Sequence, residues 1–196
     1  MSLISLEQEI PLEAFIMASP DDLGKPWAYF RFRPFFKDVS GVGVEIGTFE
    51  GYNALGILKY TPTTKLYCVD PYKAYKCSVG EYMGRFDQND WDEICERTQK
   101  KLEGWDVEFV RKTSQEASQI LPNDLDWVYI DGNHSVEACY QDLCLWGKKV
   151  KVGGKFGGHD ASESEIQIAL SKWVQTYNID RNLVKFEGNE WMISRT

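Results

Sequence analysis

From Val42 onward the chain alternates short apolar runs with amphipathic stretches, and this alternation narrows its possible folds more than any other feature. The runs are Val42 to Ile46, Lys65 to Val69, Val107 to Val110, Leu125 to Ile130 and Gly154 to Gly158. Strand-length segments separated by helix-spaced stretches predict an α/β fold, a doubly wound, mainly parallel sheet with helices on both faces. Between them Trp91, Ile94, Cys95, Thr98, Leu102 and Trp105 keep helical spacing, with Asp90-x-x-Glu93 as a candidate capping box. Ser162-x-x-Glu165 caps a second predicted helix, whose apolar stripe is Ile166, Ala169, Leu170, Trp173, Val174 and Tyr177. The end of the chain differs. Leu183 to Phe186 and Trp191 to Ile193 are joined by Glu187-Gly188-Asn189-Glu190, short enough only for a hairpin, so the last strand is expected to run antiparallel.

Within the first run, Glu45-Ile46-Gly47-Thr48-Phe49-Glu50-Gly51 sets a glycine where a strand must turn sharply and a second where a helix must start. Asp70 ends the next run about 20 positions on, where an acid at a strand tip can accept hydrogen bonds from both hydroxyls of a ribose. The spacing predicts an adenosine ligand. A dinucleotide fold needs G-x-G-x-x-G to admit a pyrophosphate, and the chain fails that test: Gly41-x-Gly43-x-x-Ile46 blocks the last position. The E-x-G-x-x-x-G form instead resembles the first motif of the S-adenosylmethionine-dependent methyltransferases. There the acid faces a cationic amino acid moiety.

The 196 residues suffice for one well-buried core and are short for two domains. A formal net charge of −8 opposes binding to a polyanion, so nucleic acid is not expected as a partner. The N-terminus carries Glu7 and Glu9 where a signal peptide would be apolar, and no run approaches the ~18 apolar residues of a membrane span. The expectation is a cytoplasmic protein without membrane contact. Cys68, Cys77, Cys95, Cys139 and Cys144 form no C-x-x-C pair and fit reduced, mostly buried thiols.

In an open α/β sheet, ligands bind beyond the carboxyl ends of the strands. The fourth run ends in Asp131-Gly132-Asn133-His134 and the fifth in Gly157-Gly158-His159-Asp160, so the two histidines of the chain both fall at strand tips beside an aspartate. Such convergence points to function. The stretch Ile130-Asp131-Gly132-x-His134-Ser135-x-Glu137, with Asp142-Leu143-x-x-Trp146, Gly153-Gly154 and Gly158-His159-Asp160, resembles the small-molecule O-methyltransferase family that includes macrocin O-methyltransferase-like enzymes. It is similar, more distantly, to catechol O-methyltransferase. The resemblance covers residues 41–160 and implies a seven-stranded sheet closed by a reversed C-terminal hairpin strand. It sets residues 41–196 as the methyltransferase domain and residues 1–40 as an N-terminal lid or extension.

By this resemblance Glu45, Gly47 and Thr48 line the methionine end of S-adenosylmethionine, Gly51 also borders the cofactor, Asp70 takes the ribose, and Ser114 and Gln115 reach the adenine edge. Thr113-x-x-Glu116 is equally a plain helix capping box. Asp131 also borders the cofactor and, with His159 and Asp160, matches positions that hold a divalent metal, Mg or Mn. His134 falls at the general base of the catechol enzyme. An imidazole ligand shifts the preference from Mg²⁺ toward Mn²⁺, Fe²⁺ or Zn²⁺. A hydroxyl must lose its proton to attack a sulfonium methyl, and a cation lowers that proton's pKa while a histidine can take it, so metal and base together point to a small-molecule hydroxyl acceptor, a sugar or a phenol.

Three other readings compete: nucleobase or other N-methylation, a nicotinamide oxidoreductase, and a non-catalytic S-adenosylmethionine-binding module. Val69-Asp70-Pro71-Tyr72 resembles the D/N-P-P-Y motif of the first only superficially, with one proline and after the second strand. Residues 1–40 and 72–89 carry no motif and are expected to determine the acceptor. The oligomeric state stays open, a homodimer being one option.

Overall fold

The structure, a computed structural model, describes residues 33–75 and 83–195. Its elements run β1 (Gly41–Ile46), α1 (Tyr52–Tyr60), β2 (Thr63–Val69), α2 (Gln88–Lys101), β3 (Val107–Val110), α3 (Ser114–Ile120), β4 (Leu125–Ile130), α4 (Val136–Trp146), β5 (Val150–Gly158), α5 (Ser164–Thr176), β6 (Lys185–Glu187) and β7 (Glu190–Ser194). The seven strands form one sheet in the order β3-β2-β1-β4-β5-β7-β6. Pairs among β1 to β5 are parallel, and β7 runs antiparallel to both β5 and β6. This is the doubly wound sheet with the reversed terminal hairpin that the residue pattern predicts. Strand order reverses between β1 and β4, so a ligand crevice opens beyond their carboxyl ends.

Both sheet faces are apolar because both are covered. Val44, Ile46, Val128, Ile130 and Phe156 point to one side, against Ala117, Leu143, Trp146, Leu170 and Trp173 of α3, α4 and α5. Leu66, Cys68, Trp127 and Tyr129 point to the other, against Ala54, Ile57 and Leu58 of α1. Phe35 and Phe36, on a short 3-10 turn at Pro34–Asp38, pack on this second side with ring centroids 5.0 and 4.6 Å from Tyr129. Both are almost wholly buried, a contribution of roughly 1.5–3 kcal/mol each, so this end of the expected extension is part of the core. Trp27, Tyr29, Phe30, Phe32 and Cys77 lie outside the described residues. Cys68, Cys95, Cys139 and Cys144 are free thiols. Among the described residues no helix is long and apolar enough to cross a membrane.

Two caps differ from expectation. The capping box of α2 is Asp87 with Asp90, three residues before the predicted pair, and the helix starts correspondingly earlier. Ser162 does not cap α5, whose N-cap is Glu163, because the Ser162 amide is drawn instead to Asn189 Oδ1 of the β6–β7 hairpin at 2.9 Å. A tertiary bond outcompetes the local one. The predicted stripes also end early: Trp105 and Tyr177 lie past their helices and are exposed.

Candidate active site

The turn after β1 is built on Gly47, whose φ of 90° belongs to the left-handed region. Its amide donates to Val69 O at 2.8 Å, tying the turn to β2. A Cβ at Gly47 would lie 2.0 Å from Asp131 O and 2.8 Å from Gly132 Cα. The glycine therefore lets the β1 turn press against the backbone at the tip of β4, which brings the two ends of the site together. Gly51 faces elsewhere: a Cβ there would strike Thr98 of α2 at 2.6 Å, so its part is to seat α1 against α2.

Asp70 sits at the tip of β2, nearly buried, and accepts from the amides of Phe49 (2.9 Å) and Tyr72 (2.8 Å), one on each carboxylate oxygen. Burial pushes its pKa up despite the two amide bonds. Each oxygen keeps a lone pair for a further donor. Phe49, Tyr72 and Asp160 all hold positive φ, of 45°, 43° and 54°, a strained state for non-glycine residues that clusters at functional sites.

Glu45 is the most constrained acid of the turn. Its Oε1 accepts from Asn53 Nδ2 at 2.6 Å, whereas its Oε2 and Oγ1 of neighbouring Thr48 are buried, close enough to interact with each other, and make no well-formed hydrogen bond among the described residues. Burial pushes the Glu45 pKa up to about 8, so in the free protein the carboxyl is largely neutral at pH 7. Unpaired buried polar atoms are costly, and two side by side at a strand tip mark a place where a polar ligand would complete them.

After β3, Thr113 and Glu116 form the capping box of α3. Ser114 Oγ donates to Asp142 Oδ1 and accepts from Trp146 Nε1 at 2.7 Å, so its hydroxyl is engaged on both sides. Gln115 is exposed, and its Oε1 accepts from Gln141 Nε2 at 3.4 Å. Burial raises the Asp142 pKa to about 6.

The two histidine tips meet. Asp131, His134 and Asp160 form a group that can each offer a ligand atom within 4.8 Å of the others. His134 Nε2 lies 3.2 Å from Asp160 Oδ2 and 3.9 Å from Asp131 Oδ1, and its Nδ1 lies 3.2 Å from Glu163 Oε2. His159 stands one step out, with Nδ1 3.0 Å from Asp160 Oδ1 and 3.9 Å from Asp131 Oδ1. The His134 pKa is pushed up to about 9 by Asp131, with Asp160 and Glu163 adding to it. An imidazole enclosed by three carboxylates holds its proton at neutral pH in the metal-free protein. The same enclosure makes His134, rather than His159, the imidazole closest to a ligand position.

Partners of this cluster from the chain's end were not legible in its motifs. Asn189 in the hairpin turn donates to Asp160 Oδ1 at 3.0 Å and accepts from the Ser162 amide. Next to it, buried Glu190 accepts from the Phe35 amide and from Tyr129 OH, both at 2.7 Å, and Tyr129 OH in turn accepts from Arg33 Nη1 at 2.9 Å. The sole sequence signal was the polar Asn-Glu pair in a turn whose position was set by the reversed strand.

A seven-stranded sheet in this order, with an acid-glycine turn at its switch point, defines the Rossmann-like methyltransferase class, which uses S-adenosylmethionine. Residues 44–161 match the family model described as a methyltransferase domain, and the chain belongs to that family. No curated protein sequence matches it. Among solved structures it is similar to the O-methyltransferase NovP, with 17% identity and a TM-score of 0.62 over 87% of this chain and 79% of that one. SMU.1697c from Streptococcus mutans, in complex with SAH, aligns at 10% identity and TM-score 0.58 over 83% and 93%. An rRNA methylase from Streptococcus thermophilus aligns at 10% identity and TM-score 0.55 over 81% and 88%. At these identities the likeness is one of fold.

Proposed function

We propose that the protein transfers a methyl group from S-adenosylmethionine to a hydroxyl of a small molecule, a sugar or a phenol, with a divalent cation at Asp131, His134 and Asp160. The observation that carries this reading is the meeting of those three side chains at the β4 and β5 tips, across the Gly47 contact from the unpaired Oε2 of Glu45. The residues present fit both groups. Glu45 and Thr48 offer buried polar atoms to an amino acid moiety, and Asp70 keeps lone pairs for ribose hydroxyls. Two carboxylates and an imidazole suit Mn²⁺ or Mg²⁺, with the nitrogen favouring Mn²⁺. When bound, such a cation would lower the pKa of an acceptor hydroxyl.

The chain's own residues supply the rest. Asn189 holds Asp160 in its left-handed conformation, and Glu163 braces the far nitrogen of His134. His134 surrenders its proton before it can either bind a metal or serve as a base. A nucleic acid acceptor is disfavoured by the net charge of −8, and the place after β4 where a nucleobase N-methyltransferase carries its aromatic motif is filled by Asp131-Gly132-Asn133-His134. The test is methyl transfer to a panel of phenols and sugar hydroxyls, before and after EDTA and with Mg²⁺ or Mn²⁺ restored. Loss on chelation with recovery on Mn²⁺ or Mg²⁺ is expected. Full activity in the chelated enzyme would remove the metal from the proposal, and transfer only to amines would remove the hydroxyl acceptor.

A further inference from the structure

Arg33 precedes the first strand and belongs to none of the motifs, yet the fold carries its guanidinium to the strand tips. Nη1 donates to Tyr129 OH at 2.9 Å, and the Tyr129 hydroxyl donates to Glu190 Oε1 at 2.7 Å. Glu190 also accepts, on its other oxygen, from the Phe35 amide, which pins the backbone two residues from Arg33. The guanidinium itself stays 3.9 Å from Glu190, a loose pairing, and Nη1 is its one nitrogen with a hydrogen bond among the described residues. A planar group with five N–H donors is thus held in place, with most of its donors uncommitted among the described residues.

Its position relative to Glu45 gives those donors a use. Tyr129 is the register partner of Glu45 across β4 and β1, so the two side chains project from the same sheet face one strand apart, about 5 Å laterally. Arg33 caps the end of the Tyr129 ring. Burial opposes the Arg33 charge, but Tyr129, Asp131, Glu190 and Glu45 more than offset it and hold the guanidinium above the ordinary arginine range. Among the described residues, one face at the switch point therefore presents a buried acid with an unpaired oxygen and a part-buried cation with unused donors. An α-amino acid zwitterion needs that pairing, since its ammonium and carboxylate sit on one carbon and both lose water on binding.

We infer that Arg33 binds the carboxylate of the methionyl moiety of the cofactor while Glu45 faces its ammonium, the two forming a zwitterion clamp that rests on the methyltransferase reading above. The segment before β1 would then complete the cofactor site through the Phe35–Glu190–Tyr129 bonds.

The test is calorimetric binding of three ligands to the wild type and to Arg33→Met and Arg33→Lys: S-adenosylhomocysteine, its decarboxylated analogue, and 5′-methylthioadenosine, which lacks the whole amino acid end. Wild type should bind S-adenosylhomocysteine roughly 10- to 100-fold tighter than the decarboxylated analogue, the usual range for a charge-assisted bidentate pair. Arg33→Met should abolish that ratio while leaving 5′-methylthioadenosine affinity within about twofold, and Arg33→Lys should retain part of it. An unchanged ratio in Arg33→Met overturns the inference, whether all affinities stay or all fall together. So does a wild type that ignores the carboxylate, a result that needs no variant to fold. A wild type that bound none of the three would instead overturn the cofactor reading on which the clamp rests.

Discussion

Because burial holds Glu45 near pH 8, an ammonium placed against its unpaired oxygen must first find the carboxyl ionised, so cofactor affinity becomes a function of pH. With a free-state pKa of about 8, roughly 1% of Glu45 is ionised at pH 6, about 9% at pH 7 and half at pH 8. The α-ammonium of the ligand, held beside its own free carboxylate, keeps its proton from pH 6 to 8, so the ionisation of Glu45 alone sets the profile there. S-adenosylhomocysteine affinity should therefore rise about 50-fold from pH 6 to 8. At pH 7 each binding event should release about 0.9 proton, read by calorimetry in buffers of different ionisation enthalpy. The Glu45→Gln variant should bind more weakly at pH 8 and lose the rise.

The free protein carries the same signature with its sign fixed by the shift. A carboxyl whose folded pKa is raised contributes stability that is fully present below about pH 4.5 and is lost as pH climbs through about 8, a limiting change of about 5 kcal/mol. Glu45→Gln should therefore narrow the fall in stability between pH 5 and 8. A flat affinity profile from pH 6 to 8, or a rise that survives in Glu45→Gln, would refute the assignment of Glu45 to the ammonium.

Replacing Gly47 by Ala should destabilise the free protein by about 3 kcal/mol or more, from a left-handed residue and a backbone clash at Asp131 O, with urea unfolding as the measurement; normal stability would mean that the turn is misplaced. Asp70→Ala strips acceptors from the Phe49 and Tyr72 amides, so it should lower stability by about 2 kcal/mol or more as well as weaken S-adenosylhomocysteine binding. Retained cofactor affinity at matched folding would free Asp70 from the ribose. Asn189→Ala should loosen Asp160 and weaken Mn²⁺ binding roughly 10- to 100-fold with little effect on S-adenosylhomocysteine; an unchanged Mn²⁺ titration would leave Asn189 a purely structural residue.

Much of this architecture was written in local chemistry. Apolar runs of four to six residues with helical stripes between them can bury their faces only in a layered α/β sheet, and a four-residue polar link between two runs can only reverse the chain. The strand-tip placement of Asp70, Asp131, His134, His159 and Asp160 was legible for a related reason: the carboxyl end of a parallel strand is where a side chain escapes the covered faces, so polar residues ending apolar runs mark a candidate site. What tertiary structure alone decided is which of them touch. Spacing could not reveal that His134 would lie among Asp131, Asp160 and Glu163 and hold its proton, because Asp160 and Glu163 come from the neighbouring strand and the loop beyond it. Nor could it reveal that Gly47 clears space for the backbone of Asp131, a contact between residues 84 positions apart. Arg33, Asn189 and Glu190 lie at opposite ends of the chain in segments without periodicity, and they converge only because β7 folds back beside β5 and carries its turn to the carboxyl edge of the sheet. Hydrogen bonds of this kind depend on angles and distances between elements, which hydrophobic patterning along one element does not encode.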